Sequence, residues 1–220
     1  MEQDKFKRQL GIFNPEDFKD KKVTVIGTGS VGSFVVLTLS KMGIKNIEVW
    51  DDDIIEEHNL SNQFYPNASV GMLKVEALKD MIREMTGEIL TVNKDRFEWG
   101  RILGYPDIVI SAVDSIVARR EIWKSILNNL NVKLYIDARM GGELMRIFTV
   151  RGQEDYSFYE NSLKEEGIQL PCTERTIIYN VTIISGLVAL IIKKFLKGEE
   201  LYKEVMFDLR NMLLTVTRDN

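Results

Sequence analysis

Lys22-Val23-Thr24-Val25-Ile26-Gly27-Thr28-Gly29-Ser30-Val31-Gly32 is the stretch from which the rest of the chain reads. Its first half is a short β-branched run ending in glycine, the pattern of a buried strand. Its second half is G-x-G-x-x-G and opens a helix: Ser30 to Met42 has helical spacing, with Val31, Phe34, Val35 and Leu39 on one stripe and Gly43 as the stop. In that setting the first glycine permits a tight turn, the second lets a phosphate approach the backbone, and the third lets the helix pack on the strand. The helix N-terminus adds unpaired N–H groups and a positive dipole end. Gly27, Gly29 and Gly32 are therefore expected to line a nucleotide site. Asn46–Trp50 reads as the next strand, and Asp51 at its end is placed to accept ribose hydroxyls. That geometry serves NAD and ATP alike.

The same rhythm runs outward from this βαβ unit, which implies parallel pairing and a right-handed crossover. Met72 to Met85 has helical spacing, Ile89–Val92 and Asp107–Ala112 read as strands, Ile116 to Leu130 as a helix and Val132–Ile136 as a strand. Alternation of this kind predicts a doubly wound, mostly parallel, Rossmann-like α/β sheet. Leu144–Val150 has no helix before it, so antiparallel pairing is expected. Gly152 to Pro171 reads as a polar loop with room for one helical turn, followed by a helix from Glu174 to Leu196. Val205–Leu209 and Met212–Val216 form a closing antiparallel hairpin turning at Arg210-Asn211. With no linker or repeat visible, residues 1–220 are expected to be one nucleotide-binding unit with a variable loop at about 151–172.

Composition narrows the classes. Twenty-nine Lys and Arg against 33 Asp and Glu leave a net charge of −4, which argues against a dedicated nucleic-acid or anionic-membrane binder. Cys172 is the single cysteine, so no internal disulfide and no multi-cysteine zinc site can form, and a reducing, cytoplasmic setting is expected. The charged N-terminus shows no secretory signal. Ile177–Leu196 is interrupted by Asn180, Thr182, Ser185 and Gly186 before Lys193-Lys194, short of the roughly 20 consecutive apolar residues needed to span a bilayer. It reads as a helix buried in a core or a dimer interface, with no membrane contact.

The run Trp50-Asp51-Asp52-Asp53-Ile54-Ile55-Glu56-Glu57-His58-Asn59-Leu60-Ser61-Asn62-Gln63-Phe64, succeeded by Val70-Gly71-Met72-Leu73-Lys74, resembles the ThiF/MoeB/HesA adenylyltransferase family, relatives of the ubiquitin-activating enzymes. Members carry D-x-D-x-V-x-x-x-N-L-x-R-Q and then G-x-x-K opening a helix. Val113-Asp114-Ser115-Ile116-Val117-Ala118-Arg119 is similar to the family's D-N-x-x-x-R, and Lys7-Arg8-Gln9 to its N-terminal R-Q. The resemblance covers roughly residues 6 to 148. It implies ATP and Mg²⁺ as cofactors, no zinc in a branch without paired cysteines, and a homodimer. It also implies attack of a carboxylate on the α-phosphate with release of pyrophosphate. The usual donor is a small ubiquitin-like or sulfur-carrier protein ending in Gly-Gly, in pathways such as thiamine or molybdopterin biosynthesis. By motif position, Lys74 would contact the phosphates, Asp114 would bind Mg²⁺, and Asp51 would hold the ribose. Asp53 and Asn59 would shape the pocket with Gln63 in support, while Arg8 would act on the phosphates, in several members from the partner subunit.

Two positions depart from the pattern. Asn62 stands where the family has arginine, and an asparagine cannot replace a guanidinium fork. Arg8, Arg119 and Arg139 are the candidates to compensate, while Arg119 also reads as a structural ion-pair former. Cys172, beside Arg175 before the long helix, lies in the loop where thioester-forming members carry a cysteine. Its alternative is a small buried residue. The competing functions are an NAD(P)-dependent oxidoreductase, which accounts for the glycines and Asp51 but leaves Asn59, Gln63, Lys74 and Asp114 without a joint role, and a non-catalytic nucleotide-binding scaffold, favoured by Asn62.

Overall fold

A computed structural model describes residues 2–101, 104–127, 129–164 and 176–218. Eight strands form one sheet: β1 (Lys22–Ile26), β2 (Asn46–Trp50), β3 (Thr91–Asn93), β4 (Ile108–Ser111), β5 (Leu134–Gly141), β6 (Leu144–Val150), β7 (Glu204–Asp208) and β8 (Leu213–Thr217), in the spatial order β3-β2-β1-β4-β5-β6-β7-β8. The first five in that order pair in parallel, and β6, β7 and β8 are antiparallel. The expected mixed sheet is observed.

Among the described residues six α-helices accompany it: α1 (Glu2–Lys5), α2 (Ser30–Met42), α3 (Lys74–Thr86), α4 (Ile116–Leu127), α5 (Gln153–Ser162) and α6 (Ile178–Leu196). Alternate strand residues feed two cores. Val23, Val25, Ile108, Ile110, Leu134 and Ile136 pack with α2, α3 and α6 on one face. Val109, Tyr135, Phe148 and Val150 pack with Trp123 of α4 and Tyr159 of α5 on the other. The chain winds from β1 outward to β2 and β3, then returns past β1 to β4. The crevice between the carboxyl ends of β1 and β4 is therefore the switch point where such sheets bind ligands.

Several boundaries move, each for a local reason. Met72 and Leu73 do not open α3, because Leu73 is extended (φ −61°, ψ 133°) and bridges Ile54. Strand β5 outruns the expected Val132–Ile136 because its hairpin with β6 continues to the Gly141–Leu144 pair. The larger correction lies within the expected loop at 152–171, of which residues 152–164 are described: α5 (Gln153–Ser162) takes the place of a loop with one turn. That helix buries Asp155, Tyr159 and Ser162, and Asp155 accepts hydrogen bonds from the Arg151 backbone N–H, Nε and Nη2. A stripe two-thirds polar gives no hydrophobic periodicity to read. Helix α6 passes a length-and-composition test for a membrane span, yet one side of it packs on α2 and β5 and is buried through Val181, Ile184, Val188 and Ile192.

Candidate functional site

The glycine turn sits at the carboxyl end of β1, and its three glycines do different work. Gly27 has φ +90°, and a Cβ there would meet the Ala112 carbonyl oxygen at 2.8 Å. A Cβ on Gly32 would lie 1.9 Å from the Gly27 carbonyl oxygen, so helix α2 can seat against the turn only without a side chain at that position. Gly29 differs: nothing lies nearer to its Cβ position than Gln63 Nε2 at 4.0 Å. Its outer face is an open cradle at a helix N-terminus, where an anion is favoured. Beside it Gln63 Oε1 is buried with no hydrogen-bond partner, a group whose desolvation a ligand donor would offset.

The acidic turn after β2 is tied to the glycines. Asp51 Oδ2 accepts from the Thr28 backbone N–H at 2.6 Å and from Thr28 Oγ1 at 3.0 Å, and its Oδ1 accepts from the Asp53 N–H at 2.9 Å. Tyr65 Oη donates to the Thr28 carbonyl at 2.7 Å. Burial, only partly offset by the Thr28 side chain, pushes the phenol far above its ordinary pKa, so it remains a donor. Asn59 is buried, and its Oδ1 accepts from the Glu56 N–H at 2.9 Å, holding the 3-10 turn Glu57–Asn59. Asn62 Oδ1 accepts from Ser30 Oγ at 3.2 Å and so stands beside the first residue of α2.

Lys74 reaches the same rim through the Ile54–Leu73 bridge. Its N–H donates to the Asp53 carbonyl at 2.9 Å, and its Nζ donates to Asp53 Oδ2 at 2.6 Å. Lys74 is 6% exposed. A lysine in the first turn of a helix opposes the dipole, and Asp53 offsets that. Asp114 is exposed in the turn leading from β4 into α4. Capping of α4 falls to its neighbour Ser115, whose Oγ accepts from the Val117 and Ala118 N–H groups. A cavity of about 340 Å³ adjoins, lined by Arg96, Phe97, Trp99, Val117, Ala118 and Glu121.

The structure thus gathers Gly27, Gly29, Gly32, Asp51, Asp53, Asn59, Gln63, Lys74 and Asp114 along one rim of the sheet. It does not bring Arg8 there. Gln9 Nε2 donates to the Met42 carbonyl at 2.8 Å, placing this segment at the far end of α2, about 20 Å from the turn at 1.5 Å per residue. Arg119 and Arg139 do not compensate for Asn62 either, a correction with a clear cause: both bond Asp137, which is fully buried. Burial, then the neighbouring Arg139, lowers Arg119 to about 10, which leaves it ionised at neutral pH. Cys172 lies outside the described residues. Thr28, Tyr65 and the cavity residues escaped sequence reasoning. Thr28 sits inside the glycine motif and had a positional signal, whereas Phe97 and Trp99 carry no motif or period.

Glycine turn, acidic rim and anchored lysine lie together at the switch point of a doubly wound α/β sheet, where such sheets bind ligands. The chain belongs to the ThiF family, whose model matches residues 6–218. It is 32% identical over 128 residues to ubiquitin-like modifier-activating enzyme 5 of Caenorhabditis briggsae, covering 51% of this chain and 30% of that protein. It is 30% identical over 174 residues to a probable molybdopterin-synthase adenylyltransferase of Gracilaria tenuistipitata var. liui, covering 74% and 49%. The chain therefore spans half or less of these curated relatives. Among solved structures, PaaA superposes with a TM-score of 0.80 at 18% identity, covering 99% of this chain and 82% of that one. The E. coli MccB structure with ATP gives 0.67 at 18% identity, covering 93% and 65%. At such identities these two likenesses speak for the fold alone.

Proposed function

We propose that residues 1–220 act as one adenylation unit that binds ATP at the glycine turn and joins a carboxylate to the α-phosphate, releasing pyrophosphate. The observation that carries this reading is Lys74, a buried amine fastened to Asp53 on the rim that Asp51 ties to Thr28. An NAD(P)-dependent oxidoreductase has no evident use for it. On this reading the phosphates lie over Gly29 and the base enters the cavity beside Phe97 and Val117. Asp51 receives the ribose, and Gln63 Oε1 gains its missing partner. The donor set fits Mg²⁺, a hard cation that takes carboxylate oxygens and phosphates. Asp114 would hold it, and the ion would neutralise phosphate charge. Lys74 offsets charge as two anions are brought together in line.

The carboxylate is that of a small ubiquitin-like or sulfur-carrier protein ending in Gly-Gly, in keeping with the names of the curated relatives. Two copies of the chain complete the site. Arg8 is too far from its own glycine turn and serves the partner's, while α6 offers the exposed strip Tyr179, Gly186 and Leu190 as a seam. Cys172 is the proposed acceptor in any later acyl transfer. Asn62 favours a second reading, a nucleotide-binding scaffold without turnover. One experiment separates these: exchange of labelled pyrophosphate into ATP with the carrier present, abolished by Lys74→Ala. ATP binding without exchange supports the scaffold, and tight NADH binding without ATP binding refutes both.

A further inference from the structure

We propose that Arg119 is a positioning residue for the metal-dependent step: it fastens the tips of β4 and β5 together and thereby sets the place of Asp114. The inference rests on the ATP-dependent reading above.

The β4–β5 ladder ends at the Ser111–Asp137 pair. Beyond it, the turn that carries Asp114 has no strand to hold it on the β5 side. Arg119 reaches back from α4 to supply the hold. Its Nη2 donates to the Val113 carbonyl on one tip, and both Nη atoms approach the Ala138 carbonyl on the other, at 3.4 and 3.5 Å. Its own N–H bonds the Ser115 carbonyl at 3.0 Å. Asp114 therefore directly follows a residue whose carbonyl the Arg119 side chain holds, while Ser115 after it is fixed by the first main-chain bond of α4. The other flank is closed by Ala112, whose N–H donates to the Ile26 carbonyl at 2.8 Å and whose carbonyl rests against the side-chain-free Gly27.

An ion pair serving stability alone would not need this arrangement. Asp137 accepts from Arg119, Arg139 and Tyr159 Oη, so the buried guanidinium of Arg119 and the partly buried one of Arg139 share one carboxylate. They divide the work. Arg139 turns to α5, donating to the Ser162 carbonyl and hydroxyl at 3.0 and 2.9 Å, while Arg119 turns to the rim. A planar fork can bridge two carbonyls and a carboxylate at once, which an ammonium on a flexible stem cannot.

That division supplies its own control. Mn²⁺ serves as the probe, its free concentration read by electron paramagnetic resonance in the presence of α,β-methylene-ATP. Arg119→Lys is expected to weaken Mn²⁺ uptake at least fivefold and to raise the Mg²⁺ requirement of pyrophosphate exchange in parallel. Binding of the analogue without metal should change less than twofold. Arg119→Gln is the second variant, for a protein that does not tolerate lysine there. Arg139→Lys, in the same buried network, is expected to lower the melting temperature as much while leaving Mn²⁺ uptake at the wild-type level. Wild-type uptake matched by both Arg119 variants, or an Arg139→Lys defect as large as that of Arg119→Lys, overturns the positioning role alone. Wild-type protein that takes up no Mn²⁺ with the analogue overturns the nucleotide reading and this proposal with it.

Discussion

Gly29→Ala and Gly32→Ala add the same methyl group three residues apart and should fail in opposite ways. At Gly32 the new Cβ would sit 1.9 Å from the Gly27 carbonyl oxygen, where contacts under 3.0 Å are essentially never found, so α2 must lift by about 1 Å. Overpacking of that kind costs on the order of 3 kcal/mol. For a chain of this size it lowers the melting temperature by roughly 6–12 °C. At Gly29 the methyl meets nothing nearer than Gln63 Nε2 at 4.0 Å, and φ is −72°, which an L-residue adopts. Loss of the glycine at this N-cap costs at most about 1 kcal/mol. The methyl does, however, fill the cradle. If it displaces one charge-assisted N–H contact to phosphate, about 1.5–3 kcal/mol is lost, or roughly 10- to 150-fold in affinity. Differential scanning calorimetry and isothermal titration with α,β-methylene-ATP separate the two effects. Wild-type nucleotide affinity in Gly29→Ala would show that no phosphate approaches that backbone, and the reading of the turn would fail.

Asn62→Arg restores a guanidinium beside Ser30 at the start of α2. It should tighten ATP binding about tenfold at low salt and less at high salt, and titration at two ionic strengths that shows no gain contradicts the placement. Asp137→Asn leaves the buried Arg119 and the partly buried Arg139 without their carboxylate and should cost about 3–5 kcal/mol in urea unfolding; a loss under about 1 kcal/mol would mean that water reaches the network. Mixing Arg8→Ala with Lys74→Ala subunits should recover about a quarter of wild-type exchange if Arg8 acts across a two-fold interface, whereas an Arg8 that acts within its own chain recovers none. Gly43→Ala, at φ +93° with Phe6 and Pro15 under 3.0 Å from its Cβ position, should expose the N-terminal segment to proteolysis, and unchanged digestion argues against that docking.

What the sequence reveals depends on how local the cause is. Strand β1, the glycine turn and α2 are legible because periodicity, a stop at Gly43 and steric demands at Gly27 and Gly32 all act within about twenty residues. Asp51, Asp53 and Lys74 are legible as a set only through a family motif, since their convergence is made across an irregular loop by the Ile54–Leu73 bridge and the Lys74 N–H bond to the Asp53 carbonyl, which follow no period. Helix α5 is not legible because Asp155 and Ser162 are buried only by virtue of partners elsewhere, Arg151 just before the helix and Arg139 on β5. Arg119 shows the same limit from the other side: its motif position marks it, but whether it faces phosphate or Asp137 depends on β5.

Charge ties these observations together. A polyphosphate and an incoming carboxylate need more cation than the rim supplies from one chain. Lys74 is shared with Asp53, Asn62 offers a dipole where the family has a guanidinium, and Arg119 and Arg139 are committed to Asp137. Asp51, Asp52 and Asp53 lie with ligand oxygens within 4.8 Å of one another, which makes the rim more negative still before any nucleotide arrives. On the proposed function, a site so arranged should depend steeply on what is brought to it from outside, namely the divalent ion proposed for Asp114 and the arginine of the proposed second copy. Loss of either should therefore reduce turnover far more than it reduces binding of a nucleoside, whose ribose meets Asp51 and whose base meets no charge deficit.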